Sequence, residues 1–463
     1  MLRRWQQTCV EEAEYKYNSG GSHFFCQATP GAGKTVFAAT IAKRLLDQNQ
    51  VDLVLCFAPS RMVCEAIRHT FSIITGNDFS GGFGAIGGVY TYQTLSFKND
   101  DFWQRFQRYR VFVVFDEIHH CAADEHGRSN VWGQQIVANI QKLATYSLAL
   151  SGTPWRTDAA PIAMAEYTNL EGELICDYQY GLQQAVDDSV CRRPRIVLAD
   201  SEYLSVKEGS SQRSFSSIKS LLSDSTASYQ SVIHSPRAID YLLTESCKKL
   251  AEIRKSIPNA GGLVVAASVS HAKQIKKALA EKHGQSVVIV TYHHDKPLQT
   301  IEQFKSANTQ WIVSVGMISE GTDIPRLQVC CHMSAVKTEL YFRQVLGRIL
   351  RVNGSANQEA WLYTFAEENL VSFAERIEQD IPETCLHIRP PSEEEQEHEP
   401  TCERENKSHQ ITCGLAEERL LNLEWLPREK ASNSHTGGDL NDLAELKIGR
   451  FRQRVIEAFC CGP

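Results

Sequence analysis

A chain of 463 residues, 42% of them hydrophobic, is long enough to bury more than one core, because compact domains run to roughly 100–200 residues each. Its apolar runs, such as Leu53–Ala58 and residues 111–115, fall far short of the roughly 20 residues a helical membrane span needs. With no apolar stretch behind the arginines of residues 1–10 a secretory signal is also excluded, so a cytoplasmic location is expected. A net charge of −7 excludes blanket attraction to phosphate yet allows a locally basic groove.

From residue 24 to 152 the strand-like runs HFFCQA, VDLVLCFAP, GAIGGVYTY, VFVVFDE and YSLALSG alternate with helix-like stretches such as 36–47. This alternation predicts a parallel sheet flanked by helices, and a first lobe is assigned to residues 1–190. Between 201 and 235 the composition turns to Ser, Thr and Gln with poor periodicity, which predicts a linker or inserted polar region over 191–235. A second alternation, GGLVVAAS, SVVIVTYH, QWIVSVG, LQVCCHMS and AWLYTF, predicts another parallel α/β unit over 236–380. Pro390, Pro391 and the acidic run 393–399 read as a solvated hinge. They open an extension, 381–463, with helix-like stretches at 416–423 and 440–458. The fifteen cysteines are scattered, and Cys56, Cys330 and Cys331 sit inside apolar runs, which predicts buried thiols. In the extension, Cys385, His387, His398, Cys402, His409 and Cys413 lack the Cys-x2-Cys knuckle that would point to zinc.

The chemistry starts at residues 28–35, ATPGAGKT, which follow a strand run and open an amphipathic helix, the context that a phosphate-binding loop requires. Gly31, Ala32 and Gly33 turn backbone N–H groups toward phosphates, and the helix start adds its positive end. Lys34 reaches the β and γ phosphates of ATP, and Thr35 offers a hydroxyl to Mg²⁺. Asp116 and Glu117 close the apolar run VFVVF, where an open parallel sheet places its ligands. Asp116 can hold Mg²⁺ through water while Glu117 orients the attacking water.

Residues 116–119, DEIH, resemble the DExH signature of superfamily 2 helicases, and further motifs follow in that family's order. Residues 2–6, LRRWQ, resemble the adenine-clamping Q element, with Gln6 as the base contact and Trp5 packing nearby. Pro59, Ser60 and Arg61 resemble motif Ia, and Thr91, Tyr92 and Gln93 resemble a first-lobe motif that touches the nucleic-acid backbone; hydroxyls, a guanidinium and N–H groups suit that task. Residues 151–156, SGTPWR, resemble motif III, whose Ser151 and Thr153, with His119, couple the γ-phosphate site to nucleic acid. In the second unit Ser268 falls in a segment resembling motif IV. Gly321 and Asp323 fall in one resembling motif V, where Gly321 allows close backbone approach and Asp323 faces the ribose or the coupling network. Residues 341–351, YFRQVLGRILR, match the Gln-x-x-Gly-Arg-x-x-Arg of motif VI. At i, i+4 and i+7, Gln344, Arg348 and Arg351 are expected on one helix face, aimed across a cleft at the phosphates.

The resemblance covers residues 1–380 and is nearest in style to the translocase subunits of type III restriction enzymes and related DNA-repair helicases. It implies an α/β fold of two tandem RecA-like lobes with a mainly helical C-terminal extension. It also implies an ATP hydrolase that uses ATP and Mg²⁺ to move on or unwind nucleic acid, with DNA favoured over RNA. The alternative is a DNA-stimulated motor subunit without unwinding activity, serving a restriction, repair or defence complex and docking an effector or nuclease through the extension. No carboxylate constellation of a metal nuclease is found outside the motor, and no membrane partner is expected.

Overall fold

A computed structural model describes residues 2–122, 130–154, 160–168, 174–208, 211–291, 297–316, 323–354, 359–378 and 445–458. The expected helix at 416–423, the Cys/His residues of 385–413, Trp155, Arg156 and Gly321 lie outside the described residues.

The first lobe begins with α1 (Arg4–Asn18) and continues through β1 (His23–Ala28), α2 (Lys34–Asp47), β2 (Leu53–Ala58), α3 (Arg61–Thr75) and β3 (Gly87–Thr91). A 3₁₀ turn, Tyr92–Phe97, leads to α4 (Asp100–Arg108), β4 (Val111–Asp116), α5 (Val131–Asn139) and β5 (Tyr146–Ser151). A small hairpin of β6 (Glu166–Tyr167) and β7 (Leu174–Ile175) precedes β8 (Tyr178–Tyr180) and α6 (Leu182–Asp187). Six strands form one sheet in the order β3-β2-β4-β5-β1-β8, and every pairing in it is parallel. β4 is buried along its whole length, as expected of a parallel strand covered on both faces. One face packs α1, α2 and α3 around Phe24, Phe37, Ile41 and Phe71. The other packs α4 and α5 around Phe57, Phe106, Phe115 and Ile136.

The second lobe holds β9 (Arg193–Glu208), β10 (Ser211–Phe215), α7 (Ile218–Asp224), α8 (Tyr229–His234), α9 (Pro236–Ser256), β11 (Gly261–Ala266) and α10 (Val269–Lys277). It continues with β12 (Val287–Val290), α11 (Pro297–Ser306), β13 (Trp311–Ser314), β14 (Leu327–Met333), α12 (Glu339–Gly347), β15 (Glu359–Phe365) and α13 (Glu368–Glu378), and is completed by β16 (Glu445–Glu457). The sheet order is β10-β9-β15-β14-β11-β13-β12, with β16 added antiparallel to β9. The chain therefore has two RecA-like lobes.

Two expectations change. The stretch read as a polar linker begins with a strand of the second lobe: residues 193–199 of β9 pair with β15 in parallel. Its serines disguised it, because Ser201 and Ser205 are buried inside the strand together with Ile196, Leu198, Leu204 and Val206. The stretch 440–458, read as a helix, is described from 445 as strand β16. Its alternating Leu446 and Ile448 and its central Gly449 suit an extended chain better than a helix, and Ile448 and Ile456 are buried.

Candidate ATP and nucleic-acid site

β1, β5 and β4 are adjacent, so the segments after Ala28, Ser151 and Asp116 emerge side by side at one sheet edge, where an open α/β sheet binds its ligands. After β1 the chain turns through Gly31 and Gly33, at φ 87° and 94°, a left-handed backbone that glycine adopts without strain. α2 starts at Lys34. The buried Lys34 ammonium donates to the Ala28 carbonyl at 3.1 Å and pairs with Glu117 at 3.3 Å. Gln6 braces this loop from α1: its Nε2 donates to the Gly33 carbonyl at 2.9 Å and its Oε1 accepts from Arg3 N at 2.9 Å. Arg3 Nη1 donates to the Ala32 carbonyl at 2.6 Å. The buried amide of Gln6 is thus committed to backbone rather than presented to a base. Trp5 is a core residue stacked on Tyr180 at 4.8 Å.

Asp116 ends β4, and Glu117 takes φ 51°, ψ 53°, an uncommon conformation for a residue with a side chain. The Glu117 carboxylate accepts from Gly152 N at 3.2 Å. Burial pushes its pKa up, but Lys34, His119, the Gly152 N–H and His120 together outweigh burial and hold it below the ordinary glutamate value. His119 Nδ1 lies 3.0 Å from Ser151 Oγ and 3.5 Å from Glu117 Oε2, and Ser151 Oγ accepts from Thr153 N at 3.1 Å. The end of β5 is therefore hydrogen-bonded to residues 117–119.

The second lobe faces this edge. Gly347 packs so closely on the loop that a Cβ there would lie 2.6 Å from Pro30 Cβ, and Arg351 Cγ would lie 3.4 Å from a Cβ on Gly31. Residues 30–31 and residues 347–351 thus lie against one another. Their local geometry differs from the expected single helix face, because α12 stops at Gly347 and Arg348 caps it. Arg351 lies beyond a turn, bridged to Cys191 and ion-paired with Asp323. Ile349 and Leu350 are buried in the core, which bends the chain away from the helix axis. Gln344 and Arg348 are both partly buried.

Arg192, which the sequence reading passed over, holds this segment in place. It is fully buried, and its guanidinium donates to the carbonyls of Leu327 at 2.9 Å, Pro325 at 3.1 Å and Ile349 at 3.2 Å. Burial lowers its pKa to about 10. No composition signal distinguishes it from the neighbouring Arg193.

The residues expected at nucleic acid lie on the same sheet edges. Pro59, Ser60 and Arg61 follow β2, and Ser60 caps α3 by accepting from Val63 N at 3.4 Å. Ser268 follows β11 and caps α10 by accepting from His271 N at 3.1 Å. Thr91 and Gln93 are partly buried at the end of β3. Tyr92 is the exception: it is fully buried, and its hydroxyl donates to the Asp116 carbonyl at 2.8 Å. Its side chain points into the protein, to the end of β4.

The donor set fits Mg²⁺-ATP. The two left-handed glycines open the loop, Lys34 already holds an anion through Glu117, and Thr35 with Asp116 offers the hard oxygens that Mg²⁺ prefers. Among the described residues no cluster of three His, Cys, Asp or Glu residues could hold a metal by itself. No described helix is long and apolar enough to cross a membrane.

Residues 1–156 match the family model of the type III restriction enzyme res subunit, and residues 245–353 match that of the helicase conserved C-terminal domain. An uncharacterized protein of Mycobacterium tuberculosis is 28% identical over 397 residues, covering 81% of this chain and 63% of its own length. The DNA 3′-5′ translocase XPB2 of Sulfurisphaera tokodaii is 23% identical over 291 residues, covering 58% of this chain and 62% of its own. This chain thus spans a little under two thirds of those relatives. A fragment assigned as the HsdR subunit of a type I restriction enzyme from Vibrio vulnificus shares the fold, with a TM-score of 0.53 at 18% identity over 80% of this chain and 65% of that one. With both family models matched in order and their motifs meeting at one cleft, the chain carries a ResIII-like superfamily 2 helicase core.

Proposed function

We propose that the protein is a nucleic-acid-dependent ATPase that couples ATP hydrolysis to movement along, or unwinding of, DNA. The observation that supports this reading is the packing of Gly347 and Arg351 on the loop Pro30–Gly31, which brings both lobes to the proposed triphosphate site. The phosphates enter between the left-handed glycines and Lys34, and in doing so replace Glu117 as the partner of the Lys34 ammonium. That exchange frees an ionised carboxylate to orient the attacking water. Arg348 and Arg351 approach from the second lobe to stabilise charge on the transferring phosphoryl group. Mg²⁺, held by Thr35 and Asp116, would supply charge neutralisation at the phosphate oxygens.

Loss of the γ-phosphate removes the charge that holds the lobes together. Residues at the edges of both sheets, Pro59, Ser60, Arg61, Thr91, Gln93 and Ser268, then shift relative to one another along a bound backbone. Such contacts read few bases, so sequence preference is slight. Likeness to a protein named as a DNA translocase and to restriction-enzyme subunits supports DNA over RNA. ATP turnover measured with duplex DNA, single-stranded DNA and RNA tests the reading. The expected result is Mg²⁺-dependent hydrolysis raised most by DNA, and turnover indifferent to every polynucleotide would reject it. Strand displacement run beside triplex displacement separates a helicase from a translocating motor that serves an effector.

A further inference from the structure

Tyr92 sits in the segment expected to touch nucleic acid, yet it is turned into the protein. Its hydroxyl donates to the Asp116 carbonyl at 2.8 Å, the peptide that leads into the left-handed Glu117. Its ring stacks on Trp132 of α5, with centroids 6.1 Å apart and planes 18° from parallel. α5 is tied to the same stretch of chain: Asn130, its cap, donates through Nδ2 to the His120 carbonyl at 2.7 Å and accepts from Ala122 N at 3.1 Å. Residues 116–122 are therefore braced at one end by Asn130 and at the other by Tyr92. The turn that carries it is closed by Thr94, which donates to the Thr91 carbonyl at 2.6 Å.

We infer that Tyr92 is the positioning residue through which a strand engaged at Thr91 and Gln93 sets the orientation of Glu117. Any movement of the 92–97 turn is transmitted to the 116–117 peptide by a fully buried hydrogen bond, whose loss leaves a buried carbonyl without that partner. Displacement of that peptide shifts the backbone from which the Asp116 and Glu117 side chains both project, so the turn controls metal holding and water orientation at once. The inference rests on the ATPase reading above and adds the route by which nucleic acid acts on it.

The test is Tyr92→Phe in the full chain, which keeps the stacked ring and removes the hydroxyl. Steady-state ATP turnover is titrated with the polynucleotide that stimulates the parent most, and binding of a labelled oligonucleotide is followed by fluorescence anisotropy. The factor by which nucleic acid raises kcat should fall about tenfold, the equivalent of one buried hydrogen bond, with oligonucleotide affinity and KM for ATP within about twofold of the parent. A merely structural role lowers turnover with and without nucleic acid by the same factor, leaves the stimulation factor unchanged, and overturns the inference. Weakened oligonucleotide binding with full stimulation at saturation also overturns it, because Tyr92 would then be a strand contact. Should Tyr92→Phe fail to fold, Trp132→Leu at the half-buried neighbour is read the same way. A parent that no polynucleotide stimulates would sink the functional reading itself, and that result is visible before any variant is made.

Discussion

Alanine at Gly347 should separate nucleotide binding from hydrolysis. A methyl group there would sit 2.6 Å from Pro30 Cβ and 3.4 Å from Pro30 Cγ, whereas carbon atoms settle at about 3.5–4.0 Å. The shortfall is about 1 Å, and neither partner can rotate out of the way, since the proline ring is locked to its backbone. The motif VI segment must therefore withdraw from the phosphate loop by about that distance, and a misplacement of about 1 Å can cost about 100-fold in rate. In a coupled ATPase assay at saturating polynucleotide, kcat should fall about 100-fold. Affinity for a fluorescent ATP analogue should stay within a few fold, since Gly31, Gly33 and Lys34 lie on the other lobe. A Gly347→Ala protein with kcat within about twofold of the parent would refute the claim that these surfaces close on one another during turnover.

Glu117→Gln should retain ATP and stall, with kcat reduced about 10²–10⁴-fold as for loss of a group that directs proton transfer; single-turnover kinetics reads this, and equal turnover would remove Glu117 from its role. His23, His271 and His332 are held near pKa 4, first by burial in each case, with Lys16 adding at His23 and His234 at His271. The unfolded chain binds their protons near pH 6.5 and the folded chain does not, so stability is complete above about pH 6.5 and is lost as pH falls toward 4. Urea midpoints at pH 7.5 and pH 5 should differ in that direction, and equal midpoints would contradict the buried neutral state. Deleting residues 445–458 removes the buried Ile448 and Ile456 and bares the β9 edge. Two such side chains contribute about 3–6 kcal/mol, so calorimetry should show the second lobe melting several degrees lower, and an unchanged transition would deny β16 its place in the sheet.

What could be read from the sequence follows the reach of local chemistry. The phosphate loop was legible because left-handed glycines, a lysine and a hydroxyl must be adjacent in the chain to do their work. β4 was legible because a parallel strand buried on both faces is apolar throughout. β9 was not, since Ser201 and Ser205 satisfy their hydroxyls inside the strand and look like a polar linker; Ser201 donates to the Tyr203 carbonyl at 2.9 Å. The end of α12 was hidden by a helical period that runs on through Ile349 and Leu350, although both residues are buried beyond the helix. Tyr92 and Arg192 were out of reach for a different reason. Their partners, Asp116 and the carbonyls of Pro325, Leu327 and Ile349, are distant in sequence, and a bond to a backbone carbonyl leaves no mark on the identity of the residue that accepts it.

The central claim is that one triphosphate is held by both lobes. A structure of the protein with Mg²⁺, ADP, a γ-phosphate mimic and an oligonucleotide addresses it most directly. The account requires a single nucleotide in the cleft, Lys34 on its terminal phosphate from one side and the guanidinium of Arg348 or Arg351 within hydrogen-bond distance of the mimic from the other. A nucleotide seated on the first lobe alone, with both arginines turned away while the oligonucleotide is bound, would contradict it.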